Sequence, residues 1–283
     1  MTLFKRPLRN EIEKNCLPLY EAKMFHQFDH HFSSYEDAKQ ANLNSGILPQ
    51  IASEIKQNFY FNITPRYWID KKEIENRLHQ KWNKQWLLGW RDITNAISQR
   101  TVISSIIPFA GCADTILLMI PSQNYLKIIP CLYSNLNSFV FDFIARQKVG
   151  GNHLKFFTMK QLPIIPPEAY TPQDIEFISK RVLELTYTAY DLKPFAEDMG
   201  YHGEPCIWDE KRRAILRAEL DAKYAKLYGL TRDELRYILD PADVYGPDFP
   251  SETFRVLKNN EIKKYGEYRT QKLVLAAWDM MGY

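Results

Sequence analysis

The sequence predicts an α+β protein, with a mixed α/β unit followed by an all-α module, and three observations predict it. Short β-branched and aromatic runs, punctuated by proline, glycine and asparagine, crowd residues 85–132. Beyond Pro167 the pattern turns helical and the helix boundaries are well signalled. The charge also changes sign along the chain: residues 1–165 hold 20 Lys+Arg against 13 Asp+Glu, leaving 17 and 21 of the chain's 37 and 34 for residues 166–283. A basic half joined to an acidic half is the pattern of a polyanion-binding module attached to a solvated helical one, and also of scattered surface lysines.

The first 60 residues carry little periodicity and read as an irregular arm with short elements. A helix is expected over 70–82, where Ile74, Leu78 and Trp82 recur at i, i+4 and i+8 and Asp70 is a plausible cap. Strands are then expected in WLLGW, TVISSIIP, TILLMI and YLKIIPCLY, followed by an amphipathic helix from about Asn135 to Gln147. The Gly150-Gly151 break, the strand-like LKFFTM and the proline-rich LPIIPP close this unit. Thr171 caps a helix with Pro172 at its first position. Further helices are expected from about Asp209 to Tyr228, from Thr231 and Glu234 as a capping box, and over 251–265 and 267–281, with Gly266 as a left-handed cap between the last two. These textures divide the chain at 1–59, 60–168 and 169–283.

Several function classes find no support. The composition, 45% apolar and 25% charged, is that of a folded globular chain. Cys16, Cys112, Cys131 and Cys206 are widely spaced and form no C-x-x-C pair, so neither a zinc site nor a disulfide framework is expected. No apolar run approaches a membrane span and the N-terminus lacks a signal-peptide core, so the expected compartment is a reducing bacterial-type cytoplasm. No Walker loop, G-x-G-x-x-G after a strand or G-x-S-x-G elbow is present.

Four constellations could carry chemistry. Arg146-Gln147-Lys148-Val149-Gly150-Gly151-Asn152-His153 joins two cations to amide and imidazole side chains that can reach phosphates and base edges, and its glycines permit close backbone approach. The same residues read equally as a helix end and turn with solvated cations. Arg91-Asp92-Ile93-Thr94-Asn95 and Gln99-Arg100-Thr101 offer guanidiniums for phosphate or guanine and amides for adenine, or an Asp92–arginine pair that fixes a loop. His26, His30 and His31 form H-x-x-x-H on a possible helix, but Gln27 stands where a zinc protease needs glutamate, and no metal ligand is assigned. Asp248, Glu261 and Lys263 superficially fit a metal-dependent nuclease, although that pattern belongs on strands and RVLKNNEIKKYG reads as helix.

Longer phrases carry a family resemblance. LPLYEAKMFHQFDHHFSSY (17–35), TPRYWID (64–70), WLLGWRDITNAISQRTVISSIIP (86–108), LNSFVFDFIARQKVGGNHLKFFTMKQLPIIPP (136–167) and the ordered run 227–279 resemble the C-terminal part of large bacterial adenine-N6 DNA methyltransferases of the type IIG restriction-modification and phage-defence kind. Within that family, the segment ending in ARQKVGGNHL and LP-x-x-PP is similar to the target-recognition domain of type I specificity subunits. The resemblance implies that 60–168 is a DNA target-recognition domain and that 169–283 is a helical spacer and docking module. His31 departs from it, standing where an arginine is expected. The larger departure is that the family's S-adenosylmethionine loop and N-P-P-[YF] motif are absent, the only Pro-Pro being Pro166-Pro167.

The sequence thus reads as a DNA-recognition module without chemistry of its own: no catalytic residues, no cofactor in this chain, and S-adenosylmethionine expected in a methyltransferase domain or subunit that partners it. Double-stranded DNA is the other expected partner. The expected contacts are Arg91, Asn95, Gln99, Arg100, Arg146, Lys148, Gly150, Gly151, Asn152 and Lys155, the cations for phosphates and the amides for base edges. The alternatives are the Asp248/Glu261/Lys263 nuclease and a protein-interaction scaffold.

Overall fold

The computed structural model describes residues 15–250 and 253–282 and has the expected α+β architecture. The chain forms two compact units that interleave along the sequence: one takes the residues up to Asp92, Ser104–Lys127 and Leu183–Trp208, the other Ile93–Ile103, Ile128–Val182 and the residues from Asp209 onward. The first unit has residues on both sides of the textural boundaries at 59/60 and 168/169, and the second runs across 168/169.

The first unit holds two three-stranded sheets. In one, β1 (Cys16–Tyr20) lies between β2 (Trp68–Asp70), antiparallel to it, and β5 (Gly111–Cys112), parallel to it. Residues 16–20, read from the sequence as part of an arm, are therefore a central strand. Pro18 obscures this, because proline cannot donate to a ladder. It is tolerated because β5 pairs only with Leu19 and Tyr20.

In the second sheet β3 (Trp86–Arg91) is central, flanked by antiparallel β4 (Ser104–Pro108) and β6 (Ile116–Met119). Trp86 through Trp90 are all buried, which is why WLLGW is a continuous apolar run without alternation. Gly89 is required by close approach, since a Cβ there would meet the Leu117 carbonyl oxygen at 2.9 Å. Asp198 anchors this sheet by accepting hydrogen bonds from the Trp86 indole at 2.8 Å and from Lys84 Nζ at 2.6 Å. The expected first helix spans Lys71–Leu78, with the Asp70 side chain accepting from the Lys72 amide.

The second unit is helical among its described residues. Ala218, Ala222 and Ala225, on one face of helix Glu210–Leu227, join Leu235, Leu239, Val274 and Trp278 in its core. Small side chains at that spacing let helix Arg269–Met280 pack closely. The Thr231/Glu234 capping box opens helix Arg232–Leu239, and Gly266, at φ 78°, caps helix Arg255–Tyr265.

Two expected strands are helices here. YLKIIPCLY becomes a 3-10 turn, Gln123–Ile128, and helix Ile129–Leu136, since Pro130 suits a first helical turn and Ile129, Tyr133 and Leu136 have helical spacing. LKFFTM contains the short helix Phe156–Met159. The amphipathic helix expected from about Asn135 is helix Phe139–Lys148, begun by Ser138, whose hydroxyl accepts from the Phe141 amide. Among the described residues no single helix is long and apolar enough to cross a membrane.

Candidate nucleic-acid interface

Two loops of the helical unit, 93–101 and 149–155, lie side by side. The Thr94 amide donates to the Asn152 carbonyl at 3.0 Å, and Ile93 forms an antiparallel bridge with His153. Loop 93–101 is folded on itself by its polar side chains. Asn95 Oδ1 accepts from the Ile97 amide and the Ser98 hydroxyl, while Thr94 and Thr101 each donate to a carbonyl across the loop.

Helix Phe139–Lys148 grips this loop with two side chains one turn apart. Asp142, fully buried, accepts from the amides of Thr101 at 3.0 Å and Val102 at 3.1 Å and from Arg100 Nε at 2.6 Å. Arg146 donates to the carbonyls of Ala96, Ser98, Gln99 and Thr253 and lies over the Phe254 ring. The carboxylate takes the loop's N–H groups and the guanidinium takes its C=O groups, so each kind of orphan backbone atom meets the charge it needs.

This geometry changes the roles expected for three arginines. Arg100 is 3% exposed, bonded to Asp142 and the Asn137 carbonyl and stacked on Phe139, so its charge is used inside the protein. Arg146, 8% exposed, positions the loop rather than presenting its guanidinium to solvent. Burial lowers its pKa, opposed by Asp142. Arg91, at the end of β3 in the sheet-bearing unit, donates to the Phe25 carbonyl and packs against Phe25 and Phe32. Burial lowers its pKa to about 10. Asn95 is likewise a loop-builder through its side-chain oxygen.

The remaining expected residues are on the surface. Gln99, Lys148, Asn152 and Lys155 are exposed, and the positions a Cβ would take at Gly150 and Gly151 open onto empty space. No acidic residue occurs between Phe143 and Gln161 or between Ile93 and Val102. Sequence reasoning missed the exposed apolar residues in and beside these loops: Ile97 is 75% exposed and Phe157, on the short helix that follows, 78%, with Ile93 and Phe156 also exposed. The signal available was Phe156-Phe157 set between Lys155 and Lys160 just after a Gly-Gly break, a context unlike that of a core strand.

Elsewhere two constellations are arranged differently from the patterns they resemble in sequence. Glu261 and Lys263 both lie on helix Arg255–Tyr265, two residues apart and so on different faces, and Glu261 gives both oxygens to Thr270. Glu261 and Lys263 are therefore carried by a helix and not by strands. His26 and His30 do not share a helix face, because residues 26–29 make a tight reversal with Phe28 at φ 58° and mutual His26–Asp29 backbone hydrogen bonds. His30 and His31 instead converge on Asp191, with Nε2 to carboxylate distances of 2.9 and 2.8 Å. Burial opposes ionisation of Asp191, but the two imidazoles hold its carboxyl far below the ordinary range. His31 is pushed down by burial and by His30, with Asp191 acting in the opposite direction.

The sheet-bearing unit also holds a mainly apolar cavity of about 430 Å³ lined by Leu19, Ile74, Leu87 and Cys112, among others. Burial pushes the Cys112 thiol up to about 12, which leaves it protonated and a poor nucleophile. Comparisons of this chain with protein-family models, with curated proteins and with solved structures give no match.

Proposed function

We propose that the chain is a sequence-specific DNA-recognition module of a bacterial adenine-N6 DNA methyltransferase or restriction-modification system, working in the cytoplasm. One observation carries the DNA-binding part: two joined loops, free of acidic residues, bring together Gln99, on the backbone gripped by Asp142 and Arg146, and the exposed Lys148, Asn152 and Lys155 of the helix end and neighbouring loop. The methyltransferase part rests on the resemblance of the sequence phrases.

In this reading Lys148 and Lys155 neutralise phosphates and set register, while the amides of Gln99 and Asn152 address base edges. The Gly150-Gly151 backbone admits a close strand approach, and Phe157 supplies an apolar contact of the kind that wedges at a base step. Arg100 and Arg146 serve by positioning the loop, and Arg91 by packing its own unit. S-adenosylmethionine and the pocket for a flipped adenine belong to the catalytic domain or subunit that this module partners.

The exposed Ile97 and Phe157 favour a second reading, in which the same loops dock a protein. Titration with duplex DNA at several salt concentrations separates the two. DNA recognition requires a clearly negative slope of log K against log salt. Lys148→Ala with Lys155→Ala should reduce its magnitude by about 1.8, or about 0.9 for each phosphate that is no longer neutralised. Absence of binding, or a slope unchanged in the double variant, would reject this interface.

A further inference from the structure

We propose that His30, His31 and Asp191 form a binding site for a divalent transition-metal ion of the zinc class. The three side chains bring one donor atom each to within 4.8 Å of one another, and both imidazoles offer Nε2. Two imidazoles and a carboxylate are a ligand set for zinc, cobalt or iron(II), whereas calcium and magnesium favour sites made of oxygens.

The dimensions are within reach of an ion. Ligands bonded at 2.0–2.1 Å stand roughly 3.0–3.4 Å apart in octahedral or tetrahedral geometry, and the present nitrogen–oxygen separations are 2.9 and 2.8 Å. Those contacts use the two different oxygens of Asp191, and an ion set between both Nε2 atoms and one carboxylate oxygen needs donor separations that now lie within 4.8 Å to settle into that range. Bound through Nε2, each imidazole keeps one hydrogen, on Nδ1, and the hydrogen now on Nε2 moves to Nδ1 or, where Nδ1 already carries one, passes to solvent.

The surroundings favour a fixed site that is still reachable. The His30 and His31 side chains are 1% and 5% exposed, so their rings cannot swing away, and the Phe61 ring packs edge-on against His31. Asp191, 15% exposed, is the side chain of the three that solvent reaches most. Beside the site, Asp29 accepts from the His31 amide at 3.1 Å and holds Lys56 Nζ at 2.5 Å. That pairing neutralises Lys56, whose charge would otherwise repel a cation.

The ion would join residues 160 positions apart in sequence, fastening Tyr190–Leu192 to the 26–31 reversal within the sheet-bearing unit. A cross-link closing so long a loop restricts the unfolded chain strongly, so its expected role is structural.

The experiment uses the full chain, stripped with a chelator and titrated with Co²⁺ and Zn²⁺. One equivalent of Co²⁺ should produce visible d–d absorption that Zn²⁺ bleaches, and Zn²⁺ should raise the melting midpoint by several degrees. His31→Gln and Asp191→Asn, which keep hydrogen-bonding shape, should each weaken Zn²⁺ binding by at least 100-fold. Folded wild-type protein that gives neither cobalt bands nor a melting shift at saturating metal would overturn the proposal. So would a folded His31→Gln protein that binds as tightly as wild type.

Discussion

Both units fix irregular backbone with buried charge, but they collect that charge from different distances along the chain. In the helical unit Asp142 and Arg146 sit one turn apart on a single helix and grip a loop some 40 to 50 residues upstream. In the sheet-bearing unit Asp29, His30 and His31 of one reversal meet Lys56 and Asp191 from two other segments, the histidines and Asp191 being about 160 residues apart. The first device is preorganised by its own helix as soon as that helix forms. The second exists only after distant segments have met, so its strength depends on the tertiary fold around it.

The largest expected effect tests the first device at its most buried point. Arg100→Ala leaves the Asp142 carboxylate without its closest cation, and should cost about 3–5 kcal/mol in denaturant unfolding. A loss under about 1 kcal/mol would mean that the pair does not anchor the loop. Replacing both partners, Arg100→Met with Asp142→Leu, should recover part of the loss, although the amides of Thr101 and Val102 would then lack an acceptor.

Arg146→Lys should cost about 2 kcal/mol, because a single ammonium cannot serve four carbonyls in the geometry of a planar fork. Amide exchange should accelerate in residues 95–101 and not in β3. Uniform acceleration across both units would show that the clamp is not local.

The third test concerns Asp221, which accepts a hydrogen bond from the Phe139 amide at the start of the same helix. Burial raises its carboxyl to about 6, with Arg100, that hydrogen bond and Arg217 opposing the rise. A carboxyl raised on folding contributes stability that is fully present below the unfolded value, near 4, and is lost as pH rises through about 6. Relative to wild type, Asp221→Asn should therefore gain up to about 2 kcal/mol on going from pH 4 to pH 7. A difference independent of pH would place the carboxyl at an ordinary value.

Local chemistry was legible in the sequence and tertiary chemistry was not. Asp70, Thr231 with Glu234, and Gly266 act on backbone within four residues, and each caps the helix its spacing predicts. The strand at 16–20 was hidden by Pro18, whose tolerance depends on the two-residue length of β5, nearly a hundred residues away. Arg91, Arg100 and Arg146 looked like ligand-seeking cations because a guanidinium's direction is set by neighbours that the local sequence does not name. The loop containing Lys148 and Gly150-Gly151 was found by its composition, while Phe157 was missed because apolar residues are expected in cores.

The interleaving of the two units bears on how the chain is made. Synthesis proceeds from the N-terminus, yet the sheet-bearing unit needs Leu183–Trp208 and the helical unit needs both Ile93–Ile103 and the residues from Asp209 onward. Trp86, buried against Phe195 and bonded to Asp198, must wait on the ribosome for partners that emerge more than a hundred residues later. Neither unit can be completed while the chain is half made, so nascent protein exposes β3 for many seconds at ordinary elongation rates. A single cut at any one position also fails to release an intact unit, and separating them for study would require permuting or splicing the chain.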